Sequence, residues 1–128
     1  MPTQPAISIS EAESVVMEVI WRRSPIPTED VVAELEHHGK WQEATVKTLL
    51  NRLLKKGAIR AEKENRRYLY SPVLSRARWL AAESGGFLDR LFDGRVAPLV
   101  SHFSQQRKLS KKDIEDLKKL IRELEDGG

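Results

Sequence analysis

The chain contains no cysteine among its 128 residues. That excludes disulfide bridges, thiolate metal centres and a cysteine nucleophile, and it is compatible with a reducing compartment. No apolar stretch approaches the roughly 20 residues that a membrane-spanning helix needs; clusters such as Val15-Val16-Met17 are soon interrupted by charge. The N-terminus lacks the basic-then-apolar order of a secretion signal, so a cytoplasmic chain without membrane insertion is expected. Histidine is scarce. His37 and His38 lack the i, i+4 spacing and nearby third ligand of a metal site, and His102 stands alone, so no metal is expected. There is no glycine-rich phosphate loop and no nucleophile beside a base, so neither a cofactor nor an enzymatic activity is expected. Internal repeats and low-complexity tracts are absent as well.

What the chain does have is a bipolar charge distribution. The net charge is only +3, too little by itself to argue for a nucleic-acid partner. Residues 10–39, however, hold Arg22 and Arg23 against seven carboxylates, whereas residues 40–67 hold nine lysines and arginines against Glu43, Glu62 and Glu64. A cationic segment set against an acidic one is what a phosphate-facing surface requires. A solvated charged face is the plainer reading of the same residues.

The order of elements narrows the choice. Ser10 and Glu13 have capping-box spacing, and Ala12, Val15, Val16, Val19 and Ile20 then recur at helical intervals. Ser24-Pro25-Ile26-Pro27 ends this helix, because proline fixes φ and has no N–H. Thr28 is expected to cap a second helix with Val31, Val32 and Leu35 as its stripe, closed by Gly39. A third helix is expected from about Gln42 to Lys56. In it Val46, Leu49, Leu50, Leu53 and Leu54 fall at i, i+3, i+4, i+7 and i+8, and Gly57 closes it. The period then changes to two. Ile59–Lys63 and Arg67–Ser71 read as strands around a Glu64-Asn65-Arg66 turn, in which Asn65 tolerates positive φ. From Ser75 the pattern is helical again, with Gly85-Gly86 as a weak point, Gly94 as a break and Ser110 as a further helix start.

Three helices followed by a hairpin, with Pro25-Ile26-Pro27 able to pair with the hairpin edge, is the winged helix-turn-helix plan. Its third helix enters the major groove and its hairpin is the wing. The expected fold is mostly α with a small β-hairpin wing: a DNA-binding domain over 1–74 and a helical dimerisation domain over 75–128. On the third helix, Thr45 and Thr48 suit base edges or thymine methyl groups, and Gln42 and Asn51 suit adenine or phosphate oxygens. Lys47, Arg52 and Lys55 reach flanking phosphates, and Lys63, Arg66 and Arg67 surround the wing tip. Glu43 counts against groove entry unless it accepts from a cytosine amine. The alternative left open is a winged-helix interaction module that never touches DNA.

Beyond the hairpin, Leu88, Leu91, Phe92, Leu99 and Phe103, together with Leu117, Leu120 and Ile121 of the last helix, offer more apolar surface than short helices bury alone. A single helix of about 15 residues is marginal in water, so an intersubunit core is expected; the alternative is that the last helix folds back on its own first domain. A twofold dimer matches two DNA half-sites by symmetry.

Several stretches resemble the BlaI/MecI penicillinase-repressor family. They are Ser10–Glu13 through Val19-Ile20-Trp21, Trp41 with Thr45–Gly57, Arg67–Pro72, Phe87-Leu88, Phe92-Asp93-Gly94 and Leu109-Ser110. The resemblance covers nearly the whole chain. It implies a homodimeric repressor of β-lactam-resistance or related cell-envelope genes, bound to palindromic double-stranded operator DNA. It also implies base contacts from Ala44, Thr45 and Thr48, where many relatives have lysine in place of Ala44. Relief through a membrane sensor-transducer with a metalloprotease domain is implied too. The family's cut falls between asparagine and phenylalanine; the matching bond here is His102-Phe103, with histidine replacing the asparagine. The copper-responsive branch carries cysteine pairs that this chain lacks.

Overall fold

The computed structural model describes residues 7–37 and 41–127. The chain divides into two compact units between Ala81 and Ala82. In order, the elements are α1 (Glu11–Arg22), β1 (Ile26–Pro27), α2 (Thr28–His37), α3 (Glu43–Lys56), β2 (Ile59–Glu64), β3 (Arg67–Pro72), α4 (Arg76–Phe92), α5 (Val96–Gln105) and α6 (Lys111–Asp126).

The first unit is a winged helix closed around one core. α1 opens with the expected capping box: Glu13 N–H donates to the Ser10 hydroxyl, and Ser10 N–H donates to the Glu13 carboxylate. Its inward face contributes Val16, Met17, Val19 and Ile20, which meet Val31, Val32 and Leu35 of α2 and Val46, Leu49, Leu50 and Leu53 of α3. Burying each such side chain is worth about 1.5–3 kcal/mol, so this shared core fixes the three helices as one body. α3 ends at Gly57, whose φ of +77° lies in the left-handed region that favours glycine. The N–H of Ala58 reaches back to the Leu53 carbonyl, and the chain turns directly into β2.

The sheet order is β1-β3-β2, antiparallel throughout. Ile26 pairs with Tyr70, so the proline-flanked segment does add a third strand to the hairpin. Glu64 pairs with Arg67, which leaves Asn65 and Arg66 as the two turn residues at φ +49° and +72°. Two consecutive positive φ values match the right-handed twist of the flanking strands.

Two local expectations are corrected. Thr28 does not stand outside α2 as its cap; it is the first helical residue, and its hydroxyl donates to the Tyr70 hydroxyl at 3.3 Å. Strand β1 runs straight into α2, so Thr28 is already within the helix rather than at the flanking cap position. Gly85-Gly86 does not interrupt α4, which runs unbroken through both. The expected stop at Gly39 lies outside the described residues, as do His38 and Lys40.

The division between units falls beyond the Pro72–Ser75 junction expected from the sequence, because the start of α4 packs on the first unit. Trp79 meets Trp21 with ring centroids 5.3 Å apart, the Trp21 indole donates to the Leu74 carbonyl at 2.8 Å, and Arg76 pairs with Glu18 at 3.0 Å.

The second unit comprises the end of α4 with α5 and α6. Asp93 and Gly94, both at positive φ, turn α4 into α5. Ser110 and Asp113 form a second reciprocal cap at the start of α6. No described residue of α4, α5 or α6 is buried in the single chain. Among the described residues, no helix is long and apolar enough to cross a membrane.

Candidate nucleic-acid interface

The leucine stripe that anchors α3 decides what its other side presents. With Val46, Leu49, Leu50 and Leu53 turned inward, Gln42, Ala44, Thr45, Lys47, Thr48, Asn51, Arg52 and Lys55 are all exposed. Gln42 occupies the N-cap position without using its side chain as a cap, so its amide is left to other partners. The Thr48 hydroxyl donates to the Ala44 carbonyl at 2.9 Å, leaving its oxygen lone pairs to accept. Lys47 lies 3.5 Å from Glu43, one turn earlier.

The wing carries Lys63, Arg66 and Arg67, all exposed. Arg66 stands at φ +72° in the turn position where hairpins prefer glycine. A bulky residue held in the left-handed region costs stability, and what it supplies here is a guanidinium at the tip of the hairpin. Arg67 lies 3.7 Å from Glu29 at the start of α2. Wing and helix border one recess of about 340 Å³, whose lining includes Lys47 and Asn51 of α3 and Arg66, Arg67 and Tyr68 of the hairpin. Of the residues expected to read and grip DNA, Lys47, Asn51, Arg66 and Arg67 are brought together at this recess; Gln42, Ala44, Thr45, Thr48, Arg52, Lys55 and Lys63 are exposed but do not line it.

One residue that braces α3 carries only capping-box spacing in the sequence. Glu13 is 2% exposed. Its carboxylate accepts from the Lys56 ammonium as well as from Ser10, and Lys56 also donates to the Ser8 carbonyl at 3.0 Å. This ties the last residue of α3 to the first turn of α1. Burial pushes the Glu13 carboxyl up, but the bonds from Lys56 and Ser10 outweigh it and hold the group below its ordinary value of 4.5. The partner is 43 residues away, which no local pattern announces.

The residues expected at a subunit interface lie in the second unit or on α4. Leu88, Phe92, Leu99 and Leu117 are half-buried, Phe103 is exposed, and Leu91, Leu120 and Ile121 are 57%, 51% and 53% exposed. Leu99, Val100, Phe103, Leu109, Leu117 and Leu120 line an apolar groove of about 350 Å³ between α5 and α6. The bond between His102 and Phe103 lies inside α5; its flanking carbonyls accept from Gln106 and Lys108. The His102 ring sits between Phe92 at 6.0 Å and Phe103 at 5.5 Å. His37 lies in the last turn of α2, and no cluster able to hold a metal ion occurs among the described residues.

Comparison with known proteins agrees with this architecture. The chain is 36% identical over 115 residues to the penicillinase repressor of Bacillus licheniformis, an alignment that covers 90% of each. It is 29% identical over 118 residues to the penicillinase repressor of Staphylococcus aureus, covering 92% of this chain and 94% of the relative. The methicillin resistance regulatory protein MecI of Mammaliicoccus sciuri is 29% identical over 113 residues, covering 88% and 92%. Among solved structures, the DNA-binding domain of the repressor BlaI superposes with a TM-score of 0.53 at 39% identity, covering 59% of this chain and 93% of that one. The monomeric form of Bacillus licheniformis BlaI in complex with the blaP half-operator gives 0.50 at 42% identity, covering 56% and 87%. The penicillinase repressor family model matches residues 9–123, and the chain belongs to that family.

Proposed function

We propose that this chain is a sequence-specific transcriptional repressor that binds palindromic operator DNA as a homodimer and controls β-lactam-resistance or related cell-envelope genes. The observation that carries the reading is the exposed Thr45–Thr48–Arg52 side of α3, directly opposite a buried leucine stripe and next to a cationic wing. An α-helix fits the major groove, and base edges there carry a distinct donor and acceptor pattern for each pair. Thr45, Thr48 and Ala44 face those edges. Gln42, Lys47 and Arg52 take phosphates beside them, and Lys63, Arg66 and Arg67 hold the neighbouring backbone or minor groove. A relative solved with a half-operator, and relatives named as penicillinase repressors, support the assignment.

In this reading residues 1–74 read DNA and residues 75–128 pair two copies in the cytoplasm. Leu88, Leu91, Phe92, Leu99, Phe103, Leu117, Leu120 and Ile121 form the shared core that a lone chain leaves open. Derepression follows when a membrane sensor-transducer's metalloprotease activity leads to cleavage at His102-Phe103, separating α6 from the rest. Because that bond lies within a helix, α5 must open locally before a protease can take it in extended form.

The test compares two variants on duplexes that the purified protein retains from a random pool. Thr48→Ala is expected to weaken binding to retained sequences about tenfold while sparing scrambled ones, since a good base contact is worth about 1–3 kcal/mol of discrimination. Arg66→Ala is expected to weaken both alike and to flatten the salt dependence. Equal loss on all sequences from Thr48→Ala would contradict base reading.

A further inference from the structure

Two cations of the proposed DNA face are each held by a carboxylate of their own chain. Lys47 is paired with Glu43 at 3.5 Å within α3, a spacing that stabilises helices in general. The other pair has no such local reason. Arg67, the first residue of β3, has a guanidinium nitrogen 3.7 Å from a carboxylate oxygen of Glu29, the second residue of α2. Both side chains are exposed, and both border the recess that Lys47, Asn51 and Tyr68 line from the helix and wing sides. A sugar–phosphate strand passes such a recess when a helix lies in the major groove and a wing touches the adjoining backbone. Glu29 also sits at the positive end of α2, which without it would attract phosphate oxygens.

We propose that Glu29 is a tuning residue for DNA affinity: its carboxylate occupies the place of a backbone phosphate on Arg67 in the free protein and is displaced when duplex arrives. This rests on the DNA-binding reading above. An arginine that trades one anion for another releases fewer counterions in net than an unpaired arginine, because the carboxylate left behind gathers a cation of its own. The displaced Glu29 also stands close to the phosphates that replaced it. Both effects lower affinity for duplex of any sequence and make its salt dependence shallower than the exposed cations alone would set.

The test measures fluorescence anisotropy on a mixed-sequence duplex of about 30 base pairs, long enough for two half-sites one turn apart, between roughly 50 and 200 mM salt. The proteins are the intact chain, Glu29→Gln, Glu29→Asp, Arg67→Ala and the Glu29→Gln/Arg67→Ala double variant. Glu29→Gln is expected to bind about threefold more tightly, the scale of an exposed ion pair, with a log–log salt slope steeper by up to about 0.9. Glu29→Asp keeps the charge and stays near the parent. The gain from Glu29→Gln disappears when Arg67 is alanine. Unchanged or weaker binding by Glu29→Gln would overturn the proposal, since Glu29 would then order the wing rather than compete at it. An equal gain with and without Arg67 would also overturn it, as a uniform charge effect. A parent chain with no salt-dependent duplex binding would instead remove the DNA-binding reading itself, and this inference with it.

Discussion

The two units of the chain solve the burial problem differently. Among its described residues the first encloses sixteen buried hydrophobic side chains drawn from α1, α2, α3, their flanking segments and the small sheet. Among the described residues of the second none is buried, and Leu91, Val96, Phe103, Ile114, Leu120, Ile121 and Leu124 are exposed. Both carry well-formed helices with reciprocal caps, Ser10–Glu13 in one and Ser110–Asp113 in the other. Helix formation is therefore not what separates them. The difference is closure: one unit has satisfied its apolar faces within the chain, and the other presents them. Exposed apolar side chains of that kind suit an interface, and in the homodimer proposed above a second copy of the chain covers them.

The sharpest way to break this contrast is to remove a side chain from each unit. Leu53 is fully buried between α3 and the rest of the first core. Leu53→Ala is expected to cost about 2–5 kcal/mol in denaturant unfolding, independently of protein concentration. Leu120 is 51% exposed in the single chain, so Leu120→Lys should instead act through association. Sedimentation equilibrium is expected to show a dimer dissociation constant raised at least about tenfold, close to 1.4 kcal/mol. If Leu120→Lys left the dimer intact, α6 would not be part of its core.

A third substitution tests how the first unit is braced. Lys56→Met keeps most of the side chain's bulk but leaves the Glu13 carboxylate buried without its cation. Breaking a buried pair in this way costs several kcal/mol at full burial; Lys56 is 39% exposed, which reduces the expected loss to about 1–3 kcal/mol. The pH dependence has a definite sign. A carboxyl held below its ordinary 4.5 contributes stability that is fully present above that value and is lost as pH falls through the lower folded value. Denaturation of the parent below about pH 4.5 should therefore be steeper than that of Glu13→Gln; parallel curves would show that Glu13 carries no such linkage.

The smallest effect should come from the wing tip. Arg66→Gly relieves a side chain at φ +72° and is expected to raise thermal stability by up to about 1 kcal/mol while lowering affinity for every duplex. A variant more stable and equally good at binding would mean that the strained arginine serves no contact.

How much of this was legible in the sequence depended on the range of the interactions. The α3 stripe could be read from Val46 to Leu54 because a helix repeats its buried face every three or four residues, and the hairpin could be read from the change to period two at Ile59. The β1 pairing was legible because a proline-flanked segment has few places to go other than a sheet edge. Thr28 has the residue type of a cap, but the strand that precedes it leads directly into the helix and its hydroxyl meets Tyr70 of β3. Gly85-Gly86 carries a propensity cost of about 1 kcal/mol per glycine, which α4 absorbs within a helix of 17 residues. The Glu13–Lys56 and Glu29–Arg67 pairs join elements that only the folded core brings together, so neither left a local signal. On the proposed DNA face, residue types and spacing single out candidate side chains, and only the fold places Lys47 and Asn51 beside Arg66 and Arg67 around one recess.

Amide hydrogen exchange of the intact protein, with and without a duplex it has selected, tests the division of labour most directly. Bound duplex is expected to protect residues 42–56 and 59–72 while leaving 111–126 as protected as in free protein at the same concentration. Protection that grew in α6 and left α3 and the wing unchanged would contradict the account.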